Sequence, residues 1–480
     1  MVIRMNTGSN STSTVLLIAY YFPPEGNAGV YRPLRFVKEL VNKGWQTTVI
    51  CCEPYQYQRY DPELLNQIPS TTRIVRVKGR DPWRAFQTWR GERIENKLTG
   101  SSVETARRIV TSQQSPLRSR LRETIRTVEA WVYRPDIAMP WIRPTVQKTL
   151  AMCHRGRPDV IWATIGPLSS GVVAYKVSVS TGVPYVLDFR DPWGLDYYTE
   201  ETRRPAWARR VDHNIMSRMF ERAQAVVFLF ESIAECYVRA FPGALDKSKI
   251  HIIPNGFEGT VEDFSHAPGG RCKVLYAGTL STYRYDTLLA GLTQLKREDP
   301  ERAKLLQLLF VGENFEELAN RVANLGLNDM VEIAPSTSYA EIRRLQQQAH
   351  GLLVLGRTAG RKGYELVAGA KLFSYLQSGR PIIGILPGDE TRRILKQVGS
   401  PLIADANSPA EVVTVFESVI DAWSTKTLES LVPNRAACEV YSSHRQISAL
   451  VAALDGEHPR KLLSEECTAL PLSLQSEIGP

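Results

Sequence analysis

The stretch GAKLFSYLQSGRPIIGI, from Gly369 to Ile385, constrains the fold more than any other part of the chain. Leu372, Tyr375 and Leu376 recur at the spacing that buries one face of a short helix. Gly379 supplies a left-handed stop, and Pro381 to Leu386 is a continuous apolar run of the kind found in a strand covered on both faces of a parallel sheet. A helix leading straight into a buried strand is half of an α/β unit. At the other end of the helix, free backbone N–H groups near Gly369 and Ala370, with Lys371 beside them, make a place suited to phosphate.

Similar units recur on both sides of this stretch. Near the start, the strand-like VLLIAYYF runs into PPEGNAG and then a helical pattern over 30–43. Gly26 and Gly29 let backbone approach a ligand at the carboxyl end of that strand, and Arg32 and Arg35 follow in the first helical turns. The pattern is neither GxGxxG nor a P-loop, so a plain tight turn explains it equally well. Apolar runs return at 47–52, 73–77 and 159–163, and again in GVPYVLDFRDPW. There Pro192 forbids further pairing and sets Asp188, Arg190 and Asp191 on the rim of the sheet, where they can act on a ligand or simply tie the turn together. Runs at 225–230 and 250–253 complete a first domain. After 258–270, which contains Gly and Pro, the alternation restarts with a strand at 273–277, its turn at Gly278, and a core stripe of Leu288, Leu289, Leu292 and Leu295. Strands are expected at 306–311, 331–333, 351–355 and 381–386. The fold class is therefore α/β, with two doubly wound Rossmann-like domains.

At 480 residues the chain exceeds what one core usually serves. The reading divides it into a tail over 1–14, a first domain over 15–257 with a basic insertion at 73–134, a second domain over 271–425, a helical segment over 434–455 and a mobile tail over 456–480. Polar residues dominate the first fourteen positions, and the apolar run at 15–22 is too short to span a bilayer, so a cytoplasmic chain is expected. Seven cysteines lie scattered without a CxxC, and Cys51 and Cys52 read as core residues of a strand. With no HExxH, EF-hand or DxD triplet, neither a protein-held metal nor a cofactor is expected. The net charge of +9 is concentrated in the insertion, where fifteen Lys and Arg stand against six Asp and Glu, interleaved with Trp83, Phe86, Trp89, Trp131 and Tyr133. That mixture suits an anionic membrane surface, or a solvated insertion whose Trp residues pack on the domain. Nucleic acid is not expected, because no binding motif accompanies the charge.

Two such halves, each with a glycine turn after its first strand, suggest a nucleotide-sugar site in a shared cleft. The order PPEGNAG, DFRDPW, IIPNG, YAGTL, FVGEN and KLFSYLQSGRPII also resembles the family-4 retaining glycosyltransferases of the GT-B fold, over about residues 15 to 455. DFRDPW and KLFSYLQSGRP are similar to a bacterial branch that builds surface polysaccharides and lipid-linked glycans. The resemblance implies a nucleotide diphosphate sugar held by the second domain, a glycan or lipid-linked acceptor held by the first, and transfer with retention. On the donor side it implies Gly278, Thr279, Gly312, Glu313, Gly369, Ala370 and Ser374, and on the acceptor side Gly26, Gly29, Arg32, Asp188 and Arg190.

Matching the family residue by residue also shows departures. Its two glutamates, separated by seven residues, fall on Leu366 and Ser374, with Glu365 one position off. Ser374 can offer only an uncharged contact to a ribose. The family's basic pair, an Arg and a Lys five residues later, falls on Thr279 and Arg284, and Lys371 stands in for the missing cation. The family's acceptor-side histidine falls near Thr164 to Gly166, where there is none. The implied chemistry is metal-independent: Arg284, Lys371 and the helix N-terminus stabilise the leaving diphosphate, while Asp191 orients the acceptor hydroxyl. The alternative is a non-catalytic GT-B binding module in a membrane glycan assembly.

Overall fold

The computed structural model describes residues 12–53, 60–79, 127, 131–195, 203–280, 283–357 and 364–459. The expectations for the tails at 1–11 and 460–480, and for Trp83, Phe86, Trp89 and most of the basic insertion, lie outside these residues. The chain divides into two units.

The first unit holds a sheet of seven described strands: β1 (Thr14–Ile18), β2 (Gln46–Cys52), β3 (Arg73–Val77), β4 (Val160–Ile165), β5 (Tyr185–Phe189), β6 (Ala225–Phe228) and β7 (Ile250–Ile252), in the order β3-β2-β1-β4-β5-β6-β7. From β3 to β6 the pairing is parallel throughout. Its longer described helices are α1 (Tyr31–Asn42), α2 (Met139–Cys153), α3 (Ser169–Thr181) and α4 (Ala206–Arg222). Every residue of β4 and β5 is buried, as strands covered on both faces must be. Cys51 and Cys52 are core residues of β2, and burial pushes the Cys51 thiol up to about 12.

The second unit repeats the plan with β8 (Cys272–Ala277), β9 (Leu306–Gly312), β10 (Val331–Pro335), β11 (Gly351–Leu355), β12 (Ile382–Leu386) and β13 (Ile403–Asp405), in the order β10-β9-β8-β11-β12-β13. All five pairings are parallel. The expected leucine stripe lies on α5 (Asp286–Glu298), with Leu288, Leu289, Leu292 and Leu295 in the core. The helices that matter to the site are α6 (Tyr339–Gln347), α7 (Ala370–Gln377) and α8 (Glu390–Gln397). The Gly369–Ile385 stretch is helix α7 followed by the fully buried β12, with Gly379 between them at φ +62°. Strand β13 was not foreseen: three residues carry too little pattern to stand out.

The first unit is discontinuous, a feature that a linear division at 257 does not capture. It comprises Met1–Phe228, Ala234–His251 and Val451–Pro459, and the second takes Leu229–Ile233 and Ile252–Leu450. The helical stretch expected over 434–454 is broken into Arg435–Glu439 and α9 (Ser443–Asp455). The carboxyl end of α9 is fastened to the first unit by Gln224 Nε2, which donates to the carbonyls of Ala453 and Leu454 at 3.2 and 2.9 Å.

Candidate functional site

In the second unit, the carboxyl ends of the central strands meet the start of α7, the usual place for a site in an open α/β sheet. Beyond β8 the backbone turns at Gly278, whose N–H donates to Val311 O at 2.8 Å. Gly278 adopts φ +128°, which demands glycine, and a Cβ there would stand 2.9 Å from Lys371 Nζ. Gly312, at the end of β9, lies with its Cα against the carbonyl of Gly278. Gly369 is the N-cap of α7 and carries no side-chain cap, so the amide groups of Ala370 and Lys371 enter the helix without backbone acceptors.

Lys371 is the centre of this arrangement. Its Nζ lies 3.7 Å from the ring centroid of Tyr276 and 4.7 Å from that of Tyr283. The atom is buried and has no hydrogen-bond partner among the described residues. Burial brings its pKa down from 10.5 to about 7, and the Arg357 guanidinium pushes in the same direction. Two aromatic faces attract an ammonium ion, but they do not replace its lost water.

Tyr283 joins the pieces. It pairs in an antiparallel bridge with Arg357, just past the end of β11, and its hydroxyl stands 3.2 Å from where a Cβ on Gly369 would be. The next residue, Arg284, is half-buried, and its N–H donates to Gly356 O at 2.9 Å. The structure thus brings Gly278, Gly312, Gly369, Ala370 and Lys371 together, with the backbone of Arg284 alongside. Thr279 is exposed, and its carbonyl accepts the Tyr276 hydroxyl at 2.8 Å. Glu313 is exposed too, and accepts from Ser336 Oγ at 3.1 Å.

Ser374 differs from expectation. Its hydroxyl donates to Lys371 O at 2.9 Å and accepts from Gln346 Nε2 of α6 at 3.4 Å. The reason is local: a serine inside a helix bonds back to its own preceding turn, which a longer glutamate side chain at this position would not do. With its proton donated to Lys371 O and Gln346 Nε2 already on its oxygen, Ser374 keeps only a weak acceptor for a ribose hydroxyl. Ser374→Ala should therefore change the affinity for a nucleoside diphosphate by less than about threefold in a calorimetric titration. A loss of tenfold or more would return Ser374 to the donor site. At the other matched position, Leu366 is half-buried and Glu365 is exposed in the short 3-10 turn Tyr364–Leu366.

Sequence reasoning missed Tyr276, Tyr283, Arg357 and Asp389. Asp389 caps α8 by accepting from Arg392 N at 2.9 Å, and burial raises its pKa to about 6 against the pull of that bond and of Arg357. Two signals were available: Tyr276 opens the YAGTL motif, and Arg357 lies directly beyond a strand end.

In the first unit the expected acceptor-side residues divide into two groups. Arg32 and Asp188 are both fully buried and form a bidentate ion pair, with Nη2 at 2.8 Å and Nε at 3.0 Å from the carboxylate oxygens. They are not on the rim; each neutralises the other inside the domain. Arg190 does lie on the rim, and its guanidinium donates to the carbonyl of Gly166 and packs where a Cβ of Gly29 would be. Glycine at position 29 is thus required by the close approach of that side chain. The PPEGNAG turn is held by Asn27, which donates to Glu25 and accepts from Gly29 N at 2.8 Å, with Gly26 buried beneath. Asp191 is half-buried just past Arg190, its carbonyl accepting from Trp193 N at 2.9 Å. The same rim holds two groups the sequence did not suggest. Asp136 accepts from Ser169 N, Ser169 Oγ and Ala138 N, and burial raises its pKa. The Tyr21 hydroxyl is pushed up to about 12 by burial and, next, by Asp136.

Comparison with known proteins can be set against this geometry. Residues 102–256, about a third of the chain, match the family model described as a glycosyl transferase 4-like domain. No curated protein matches in sequence. Among solved structures, a glycosyltransferase from Rickettsia africae ESF-5 superposes with a TM-score of 0.56 at 12% identity, over 93% of this chain and 98% of that one. The trehalose 6-phosphate synthase of Burkholderia multivorans gives 0.54 at 9% identity, over 93% and 98%. A variant of TarM from S. aureus, in complex with fondaparinux, alpha-GlcNAc-glycerol and UDP, gives 0.53 at 10% identity, over 92% and 100%. The fold is GT-B. Within a GT-B chain the carboxyl ends of the second unit's strands are where Lys371, Gly278 and Gly369 converge, and the carboxyl ends of the first unit's strands carry Arg190 and Asp191.

Proposed function

We propose that this GT-B chain is a retaining glycosyltransferase that moves a sugar from a nucleotide diphosphate sugar to a glycan or lipid-linked acceptor in surface polysaccharide synthesis. The observation that carries the reading is Lys371: a buried ammonium without a hydrogen-bonding partner among the described residues, flanked by two tyrosine faces, beside two glycines and a helix N-terminus. Such a site lacks only an anion. The solved TarM variant contains UDP, the product such a donor leaves behind.

In the proposed reaction the acceptor oxygen bonds to the anomeric carbon as the bond from that carbon to the diphosphate oxygen breaks. The acceptor's proton passes to a phosphate oxygen of the donor on the same face, and the nucleoside diphosphate departs. Lys371, with Arg284 and Arg357 in the adjoining segments, balances the charge that grows on the leaving group, which is how the reaction proceeds without a metal. Asp191 orients the acceptor hydroxyl. No described helix is long and apolar enough to cross a membrane. The reaction places the chain on the cytoplasmic side, where it reaches a lipid-linked acceptor as a peripheral protein.

A second reading, a non-catalytic binding module, is favoured by Leu366 and Ser374 at the two positions where the family it resembles has glutamates. Release of nucleoside diphosphate from a panel of sugar donors, with and without lipid-linked acceptors, separates the two. Acceptor-dependent release is the expected result. Donor binding without release would favour the module.

A further inference from the structure

Half of the large apolar side chains that the described residues expose fall in two short segments of the first unit: Trp131, Val132 and Ile137 before α2, and Trp207 and Val211 on α4. Trp131 is 46% exposed and Trp207 56%, unusual values for the residue type that gains most from burial. The segments are joined. Trp131 Nε1 donates to Arg203 O at 3.1 Å, and the Arg134 guanidinium stacks over the Trp207 ring at 4.7 Å.

Helical spacing puts Trp207, Arg210, Val211, Asn214 and Arg218 on one side of α4, while Ala208, Met216, Met219 and Phe220 are buried. From 203 to 222 there are six arginines and two acidic residues. One of the acids, Asp212, is turned inward onto Arg204 at 3.0 Å. What faces water is therefore an aromatic and aliphatic patch rimmed by cations.

We propose that this face of α4, with Trp131 and Val132, docks the first unit onto an anionic lipid bilayer. The choice of occupant follows from the charge. Interfacial helices combine an apolar stripe at headgroup depth with flanking Arg that neutralise lipid phosphates, and the indole ring favours that boundary because one edge is polar. The face does not depend on the transfer reaction, so its test and the test of sugar transfer can fail separately.

The test is co-sedimentation of the full chain with vesicles of phosphatidylcholine alone and of phosphatidylcholine mixed with phosphatidylglycerol. Binding to the mixed vesicles is expected, weakening as salt rises, with little binding to the neutral ones. Trp131→Ser with Trp207→Ser should weaken binding about tenfold or more, and Arg210→Glu with Arg218→Glu by a similar factor. Val179→Ser, which removes a side chain 53% exposed elsewhere on the same unit, is the control and should bind as the parent does. Unchanged melting curves establish that the variants fold. The proposal is overturned if the parent does not bind mixed vesicles, or if the Trp and Arg variants bind as well as the control. It is equally overturned if sedimentation velocity without lipid shows a dimer that the Trp variants abolish, since the face would then belong to a second copy of the chain.

Discussion

Lys371→Ala is expected to lower turnover about ten- to several-hundred-fold, with a smaller rise in donor KM, and Arg284→Ala to act in the same direction. A charge-assisted hydrogen bond to phosphate is worth roughly 1.5–3 kcal/mol in the ground state and more as leaving-group charge grows, at about 1.4 kcal/mol per factor of ten in rate. Lysine 371 also sets a pH dependence. Burial holds its pKa at about 7 in the ligand-free chain, so the ammonium is present below that pH and lost above it. The protonated form binds the diphosphate, and kcat/KM for the donor should fall toward the alkaline side, approaching tenfold per pH unit. In the complex the diphosphate raises the pKa, so kcat should be flatter over the same range. Near-normal turnover in both variants with every accepted donor would place the diphosphate elsewhere.

The same shift fixes a stability effect of definite sign. The folded state lowers this lysine's pKa from 10.5, so folding disfavours the ammonium. The penalty is fully present below about pH 7 and vanishes as the pH rises to the ordinary lysine value. Lys371→Met, which keeps the volume and discards the charge, should thus lower turnover as Lys371→Ala does while raising the melting temperature of the ligand-free protein at neutral pH.

The largest loss of stability is expected from Asp188→Ala. Arg32 and Asp188 are both buried, and removing one partner leaves a guanidinium with its counter-charge gone, a change that costs about 3–5 kcal/mol. Chemical denaturation followed by circular dichroism measures it. Exchanging both residues for apolar ones, Arg32→Met with Asp188→Leu, should cost far less than the single change, since no unpaired charge remains. If Asp188→Ala unfolds within about 1 kcal/mol of the parent, the pair is not buried in solution as it is here.

The two halves were legible because buried parallel strands leave unmistakable apolar runs: β12 can be read from Pro381 onward without reference to anything else. The start of α7 was legible for the same local reason, since Gly369 and Lys371 are adjacent in sequence to the helix they start. Tyr283 and Arg357 were not, because their roles arise from a bridge across 74 residues that no spacing announces. Asp188 was misplaced because a rim and a buried pair use the same residue types, and only the fold decides which way a strand-end carboxylate points. The bond from Ser374 back to Lys371 was not legible either, because a helix can claim a hydroxyl for itself.

Arg190 lies across two glycine turns from different parts of the chain, Gly29 after β1 and Gly166 after β4, filling at both the space a side chain would need. These three positions are consequently not independent under mutation. A substitution at either glycine has to displace the guanidinium before it can be accommodated, whereas in a chain that has already exchanged Arg190 for a small residue a methyl group at position 29 meets only Asn27 Oδ1, at 2.9 Å. Gly166 is held to glycine by its backbone as well, at φ +133°, so the freedom gained there is smaller. Along any lineage, or in any directed-evolution campaign, the arginine would have to change first.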